Sequence, residues 1–442
     1  MAVKKSNDRL ISALETTMSG LTFNTDEISG LVRIEDENGE LPGNERPSML
    51  ELTPPPTPKR NGHAGIANFL PMEIICLVLE FVGSKEQEVF AATSQVSRLW
   101  YHASQPFLYR YPKITGKNYN AFVTTISPSS TNIKPCALGS LVKRLDLSHL
   151  VHEGRPSQNA RLLRRVQASL EEFVAPQASF GYNCIVALGH CHKLRILDLS
   201  LISQAVNLDD LFRHICDLPN LQALNFPRSS ILTRPKTKFQ WPQKLERFSL
   251  SGAILDYFMQ EQSVPESLQS LQSLNSLHIS HCPFTKQNSI ICLLSALSQQ
   301  LTTLSINYPM PCLAFNALDN VLNLCPNLTY LLLAADYISS HFFDEGSSPA
   351  NHPLRRLDLD SSGNPGVEHK VQPNDVFIAI AEDRLPQLRV VRVSRRLKWL
   401  ALERSEDVED LIEILEQQAE DAGDHGPTGV WEWGDESGRG YG

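Results

Sequence analysis

Few side chains in this chain have the type and spacing to do bond-making chemistry. His190, Cys191 and His192 stand in a row with Cys184 upstream, donors of the kind that hold zinc. Their spacing matches neither a zinc finger nor a ribbon, and Cys191 has a structural use within a repeat. His281-Cys282 is a second pair of the same kind. The chain carries no Gly-x-Ser-x-Gly, no phosphate loop and no His-Glu-x-x-His. No catalytic group, no metal site and no cofactor are therefore expected. The chemistry left is recognition, which falls to Tyr and Arg side chains of the kind that anchor protein interfaces.

Such side chains need elements to position them, and the repeat supplies these. Leu-x-x-Leu-x-Leu, or an apolar variant of it, begins at Val142, Leu170, Leu194, Leu221, Leu245, Leu274, Leu301, Leu328, Leu354 and Leu388. Successive copies lie 24 to 34 residues apart, and there are ten of them. A period of this length with this motif is the signature of a leucine-rich repeat. Each copy gives one short strand and a return segment, helical where Leu208, Leu211, Phe212 and Ile215 recur. Cys191, Cys282 and Cys325 fall beside their strands as small apolar plugs. In this feature the array resembles the cysteine-containing subtype of leucine-rich repeat that often follows an F-box.

With the motif leucines pointing inward, alternate residues line a concave sheet. Its larger side chains are Arg247, His278, Tyr330, Leu332, Arg356 and Arg392, which makes them the candidate substrate-binding set. Small polar residues dominate the rest of that face, so a peptide or protein is the expected ligand. Two off-period stretches stand out. Phe226 to Trp241 carries Arg228, Arg234, Lys236 and Lys238 among prolines, and Asp360 to Asp375 is an insertion expected to be mobile.

A helical segment precedes the array. Leu70-Pro71-Met72-Glu73-Ile74 opens it, and Ile75, Leu77, Val78, Phe81 and Val82 recur around more than one helix face. Gly83 stops the helix, Ser84 and Gln87 have the spacing of a capping box, and Val96, Arg98 and Trp100 come next. So short a segment cannot bury that much apolar surface among its own residues, which implies a partner. Leu70, Pro71, Glu73 and Ile74, then Val96, Arg98 and Trp100, then Ala103, Pro106, Phe107 and Leu108, resemble an F-box in order and spacing. The resemblance implies docking on the Skp-type adaptor of a cullin–RING ubiquitin ligase. The candidate adaptor-binding residues are Leu70, Pro71, Ile74, Val78, Val96 and Trp100, with Trp100 the one expected to be internal support. The stretch from Val96 to Leu108 is expected to face the repeats.

The expected fold is α/β: an all-α F-box-like module over 66–115, then a leucine-rich-repeat solenoid over 138–400. A disordered region over 1–62 and an acidic helix with a disordered tail over 403–442 flank them. The expected function is the substrate-recognition subunit of an SCF-type ligase. The alternatives are a scaffold that leads to no ubiquitination, or a repeat protein in which the helical segment merely caps the array.

Charge sets further bounds. The net charge of -9 resides in the tail, since residues 403–442 hold 13 Asp and Glu against two Arg, and the remainder is close to neutral. A bulk electrostatic nucleic-acid binder is not expected. No apolar run is long enough to span a membrane, and with no apolar run after Lys4 and Lys5 no secretory leader is expected. The odd count of nine cysteines in apolar surroundings suits reduced thiols of the cytoplasm or nucleus. Thr53 and Thr57, each followed by Pro, are candidate phosphosites spaced like a doubly phosphorylated degron.

Overall fold

The computed structural model describes residues 70–83, 86–128, 137–150, 154–231, 240–254, 256–263, 268–401 and 405–434. Thr53, Thr57, Ser84, Arg234, Lys236 and Lys238 lie outside the described residues.

Three helices come first: α1 (Met72–Val82), α2 (Gln87–Thr93) and α3 (Arg98–Arg110). Pro71 sits at the N-cap of α1, one position before the first turn, and its carbonyl accepts from Ile74 N and Ile75 N, each at 3.1 Å. Gly83 ends the helix at φ 84°, a left-handed backbone that glycine adopts without steric cost. Ser97 caps α3 by accepting from Trp100 N at 3.4 Å. Ile75, Leu79, Phe90, Trp100 and Ala103 form a small core of their own, with Phe107 stacked on Phe90 at 5.6 Å.

The capping box expected of Gln87 does not form with that side chain. Its amide instead donates to Leu108 O (3.1 Å) and Tyr111 O (2.9 Å), and accepts from Lys113 N at 3.0 Å. Gln87 thus satisfies carbonyls at the end of α3, which a helix leaves without internal partners. A fourth helix, α4 (Gly116–Ile126), belongs by packing to the strand array: Tyr119, Val123 and Ile126 are buried in the main core.

That core runs under one parallel sheet of eleven strands. They are β1 (Arg144–Asp146), β2 (Glu172–Val174), β3 (Ile196–Asp198), β5 (Ala223–Asn225), β7 (Arg247–Leu250), β8 (Ser276–Ile279), β9 (Thr303–Ile306), β10 (Tyr330–Ala334), β11 (Arg356–Asp360), β12 (Val390–Ser394) and β13 (Gly429–Trp433). Strand order follows chain order, and every neighbouring pair is parallel. A separate ladder pairs β4 (Val206–Asn207) with β6 (Ser230–Ile231).

Parallel neighbours need a return path, and helices take most of it. These are α5 (Pro156–Val166), α6 (Tyr182–Leu188), α7 (Leu208–Ile215), α8 (Asp256–Gln262), α9 (Gln287–Leu297), α10 (Val321–Leu324), α11 (Pro373–Ala381) and α12 (Ser405–Asp421). The motif leucines Leu145, Leu197, Leu224, Leu304, Leu331 and Leu357 are fully buried between sheet and returns, in register from strand to strand. Cys191, Cys282 and Cys325 fill the same core, where burial pushes each thiol up to about 12.

Two expectations about the C-terminal part do not hold. The tail expected to be disordered from Gly426 contains strand β13, which extends the sheet beyond the ten expected copies. Helix α12 buries Val408, Leu411, Leu415 and Ala419 as its apolar stripe requires, but it leads into another strand rather than ending the array. The insertion after β11, expected to be mobile, is folded. Lys370 Nζ donates to Asp336 O at 2.7 Å, Trp399 Nε1 donates to Val371 O at 3.1 Å, and Val371 is fully buried.

Candidate functional site

The histidine–cysteine row resolves into core packing. Cys184 and Cys191 are buried and their thiols point at the carbonyls of Pro156 and Ala187, while His190 and His192 lie on the surface. Among the described residues no group of three or more His, Cys, Asp or Glu could hold a metal. No helix among them is long and apolar enough to cross a membrane.

Two surfaces remain for recognition. On the helical module, α1 is apolar on both sides. Ile75 and Leu79 point into the small core, whereas Met72, Ile74, Leu77 and Phe81 face outward, with Phe81 80% exposed. Ile74, Leu77 and Phe81 recur at three- and four-residue spacing, so they form one continuous apolar stripe, with Met72 exposed apart from it. Of the expected adaptor-binding residues, Pro71, Ile74 and Val96 are exposed, Leu70 and Val78 are half-buried, and Trp100 is only 8% exposed. Trp100 is internal support, as its place in the Phe90 cluster requires.

The expectation that Val96 to Leu108 faces the repeats does not hold: Trp100, Ala103, Phe107 and Leu108 pack in the small core of the module, and contact with the array begins just beyond them. Tyr109 packs on the main core and Arg110 O accepts from Lys143 N at 3.0 Å, while Val96, Leu99 and Tyr101 lie open to solvent. Leu77, Phe81 and Leu99 are exposed apolar residues that the candidate set does not include. Periodicity showed that α1 had apolar residues to spare but not which of its faces the module would cover.

On the open face of the sheet, the expected binding residues separate into three groups. Arg247 is exposed on β7. His278 lies between two hydroxyls, with Nδ1 2.6 Å from Ser305 Oγ and Nε2 3.1 Å from Ser280 Oγ. Burial, reinforced by His281 and Arg228, lowers its pKa to about 4, so the imidazole is neutral near pH 7. Leu332 is 8% exposed and contributes little surface, a correction to its expected role as an anchor.

Tyr330, Arg356 and Arg392 come together around a carboxylate that the candidate set omitted. Arg356 donates to Asp358 through Nε (2.9 Å) and Nη2 (2.8 Å), and Tyr330 Oη donates to Asp358 Oδ2 at 3.0 Å. Arg392 Nη1 lies 3.8 Å from the same oxygen. The Asp358 hydrogen bonds hold the Arg356 guanidinium above its ordinary pKa. Arg356 lies over the Tyr330 ring at 5.0 Å and Arg392 over the Trp433 ring at 4.9 Å. Trp431 and Trp433 enter this surface only because β13 pairs with β12, which puts Trp431 opposite Arg392.

Comparison with known proteins bears on the module first. Residues 67–153 match the family model described as COS11 F-box domain, a span holding α1 to α4 and β1. The chain is 40% identical over 327 residues to "F-box protein YDR306C" of Saccharomyces cerevisiae, covering 73% of this chain and 66% of that protein. It is 32% identical over 334 residues to "Protein pof5" of Schizosaccharomyces pombe, covering 75% of this chain and 91% of that protein. A solved structure described as the Rad7 and Elc1 complex in yeast is similar at a TM-score of 0.37 with 13% identity. It covers 81% of this chain and 91% of that one, a likeness too loose to bear on function. The family model covers the segment whose apolar stripe is exposed, and two relatives match over about three quarters of this chain: the chain belongs to the F-box protein family.

Proposed function

We propose that this protein is a non-catalytic target receptor of an SCF-type cullin–RING ubiquitin ligase. The stripe of α1, with Val96 and Leu99 of the adjoining turn and helix, holds a Skp-type adaptor. The strand array is a leucine-rich-repeat solenoid whose open face holds a protein target, and the cytoplasm or nucleus is where it acts. The protein makes and breaks no bond itself; it raises the target's effective concentration beside a ubiquitin-charged enzyme held elsewhere on the cullin. Proline-directed phosphorylation of Thr53 and Thr57 is a separate proposal for control of its own turnover.

One observation carries the reading: an apolar stripe with Ile74 at 42%, Leu77 at 51% and Phe81 at 80% exposure, inside the segment that matches the F-box model. Soluble proteins rarely leave such a stripe uncovered unless a partner takes it.

The test uses residues that the module does not need for folding. Ile74→Asp and Leu77→Asp change surface positions, for which folding costs stay within about 0.5 kcal/mol. In co-precipitation from cells, wild type recovers adaptor and cullin together. Each substitution lowers adaptor recovery by about 30-fold, equivalent to a hot spot of about 2 kcal/mol. Wild type that recovers neither partner refutes the ligase reading. Wild type that recovers adaptor without cullin leaves a scaffold.

A further inference from the structure

The open face of the sheet changes character over its last four strands. Along β3 to β9 it presents mainly small or polar groups such as Asn225, Ser249, Ser276, Thr303 and Ser305. From β10 to β13 it presents Tyr330, Arg356, Arg392, Trp431 and Trp433. Val430 packs toward the core, so strand alternation puts Trp431 and Trp433 on the open side. Trp, Tyr and Arg are the residues that dominate interface energetics, and the five lie on four adjacent strands.

Charge on this quarter is layered. The Asp358 side chain is 3% exposed, while Arg356 and Arg392 above it are 39% and 35% exposed. One buried carboxylate therefore serves two guanidinium groups and a phenol, and the layer that meets solvent carries surplus positive charge. Arg356 spends two of its five N–H groups on Asp358, and among the described residues its remaining donors meet no second carboxylate on this face. Asp360, next on the same side of β11, accepts from Asn307 Nδ2 at 2.8 Å and is faced by the charge of Arg396, so it does not cancel Arg356 or Arg392. Glu432 alternates to the other side of β13 and lies 3.9 Å from Arg395. The far end of the sheet differs: Arg144 pairs with both Asp146 (2.9 Å) and Glu172 (3.2 Å), each itself partly exposed, which leaves no cationic surplus.

We infer that β10 to β13 form a docking surface for an extended acidic segment of another protein, with its carboxylates on Arg356 and Arg392 and an apolar side chain against Trp431. Charge complementarity selects the acidic partner, because stacking on Tyr330 and Trp433 holds each guanidinium in a fixed plane suited to carboxylate. Trp431, 40% exposed beside Arg392, supplies the apolar contact. The inference rests on reading the array as the target-binding arm and narrows that arm to its C-terminal quarter, completed by β13.

A random dodecapeptide library displayed on phage and selected on the full chain tests it. Enriched peptides are expected to be net acidic with at least one large apolar residue. Their synthetic versions, titrated by fluorescence anisotropy, should weaken about tenfold or more with Arg392→Gln or Trp431→Ala and stay unchanged with Arg144→Gln. Trp431→Phe should restore part of the loss, which separates a contact from a folding defect, and thermal melting of each variant checks the fold. Neutral or basic consensus peptides, or acidic ones that bind Arg392→Gln and Trp431→Ala as tightly as wild type, overturn the inference. Adaptor recovery is measured in parallel. Acidic peptides at Trp431 without adaptor binding uphold this surface and refute the ligase reading, whereas adaptor binding without acidic selection overturns this inference alone.

Discussion

Asp358 and His278 show two ways of keeping a polar group at the sheet surface. Three N–H and O–H donors, from Arg356 and Tyr330, converge on Asp358. Removing its charge weakens the bonds of Arg356 and the Tyr330 hydroxyl together, since one acceptor oxygen is lost. Asp358→Asn should therefore lower the urea midpoint by the equivalent of about 1–3 kcal/mol, a cost typical of breaking a charged hydrogen-bond set that is partly open to solvent. His278 is held neutral instead. Its folded pKa of about 4 lies below the ordinary value of 6.5, so the unfolded chain binds a proton before the folded one does. The stability tied to His278 is fully present above pH 6.5 and is lost as pH falls from 6.5 toward 4. His281 and His352, also lowered mainly by burial, add to the same acid-side loss. His278→Asn should make unfolding free energy, measured by urea titration at steps across that window, fall less steeply than in wild type. An identical slope would show that burial does not hold the ring neutral.

Among elements, the ten strands from β1 to β12 in the main sheet could be read from the sequence because each keeps apolar residues at the inward positions. Strand β13 could not. In register with Leu388, Val391 and Val393 of the preceding copy, it has Pro427, Val430 and Glu432, so only one of three motif positions keeps a branched aliphatic residue. What makes it a strand is the edge of β12 and the packing of α12, and neither is local information. The same gap hid Trp431 and Trp433 from the candidate site. The open face of α1 was legible only as a surplus, since the choice of Ile75 and Leu79 for the core depends on where α3 crosses. If α12 secures the last strand, Leu411→Ala should cost about 2–5 kcal/mol, the range for emptying a fully buried leucine site. Hydrogen exchange should speed up in β12 and β13 while β1 to β3 keep their protection, because repeats couple mainly to their neighbours. Uniform acceleration along the sheet would show one cooperative unit instead.

Across the whole molecule, the proposed adaptor stripe and target surface are joined through a short, bonded junction. Lys143 N donates to Arg110 O, joining α3 to the residue just before β1. Gln87 of α2 grips Leu108 O, Tyr111 O and Lys113 N, which lie where the module hands over to α4. Helix α4 is in turn fixed to the array, since Tyr119 Oη donates to Asn159 Oδ1 at 2.7 Å and Asn159 Nδ2 donates to Ser179 O at 2.9 Å. A receptor that works by orientation needs such a junction more than it needs either binding face to be tight, because transfer depends on where the target's lysine is held. Gln87→Ala removes three bonds from the junction while touching neither Ile74 nor Trp431. It should leave adaptor recovery and acidic-peptide affinity within about twofold of wild type, as expected for a site that neither ligand contacts. Ubiquitination of a bound target by the reconstituted ligase should fall, with a broader spread of modified lysines detected by peptide mapping. Unchanged rate and lysine choice would show that the junction is held without Gln87, and that Lys143 and the Tyr119–Asn159 pair suffice to orient the arm.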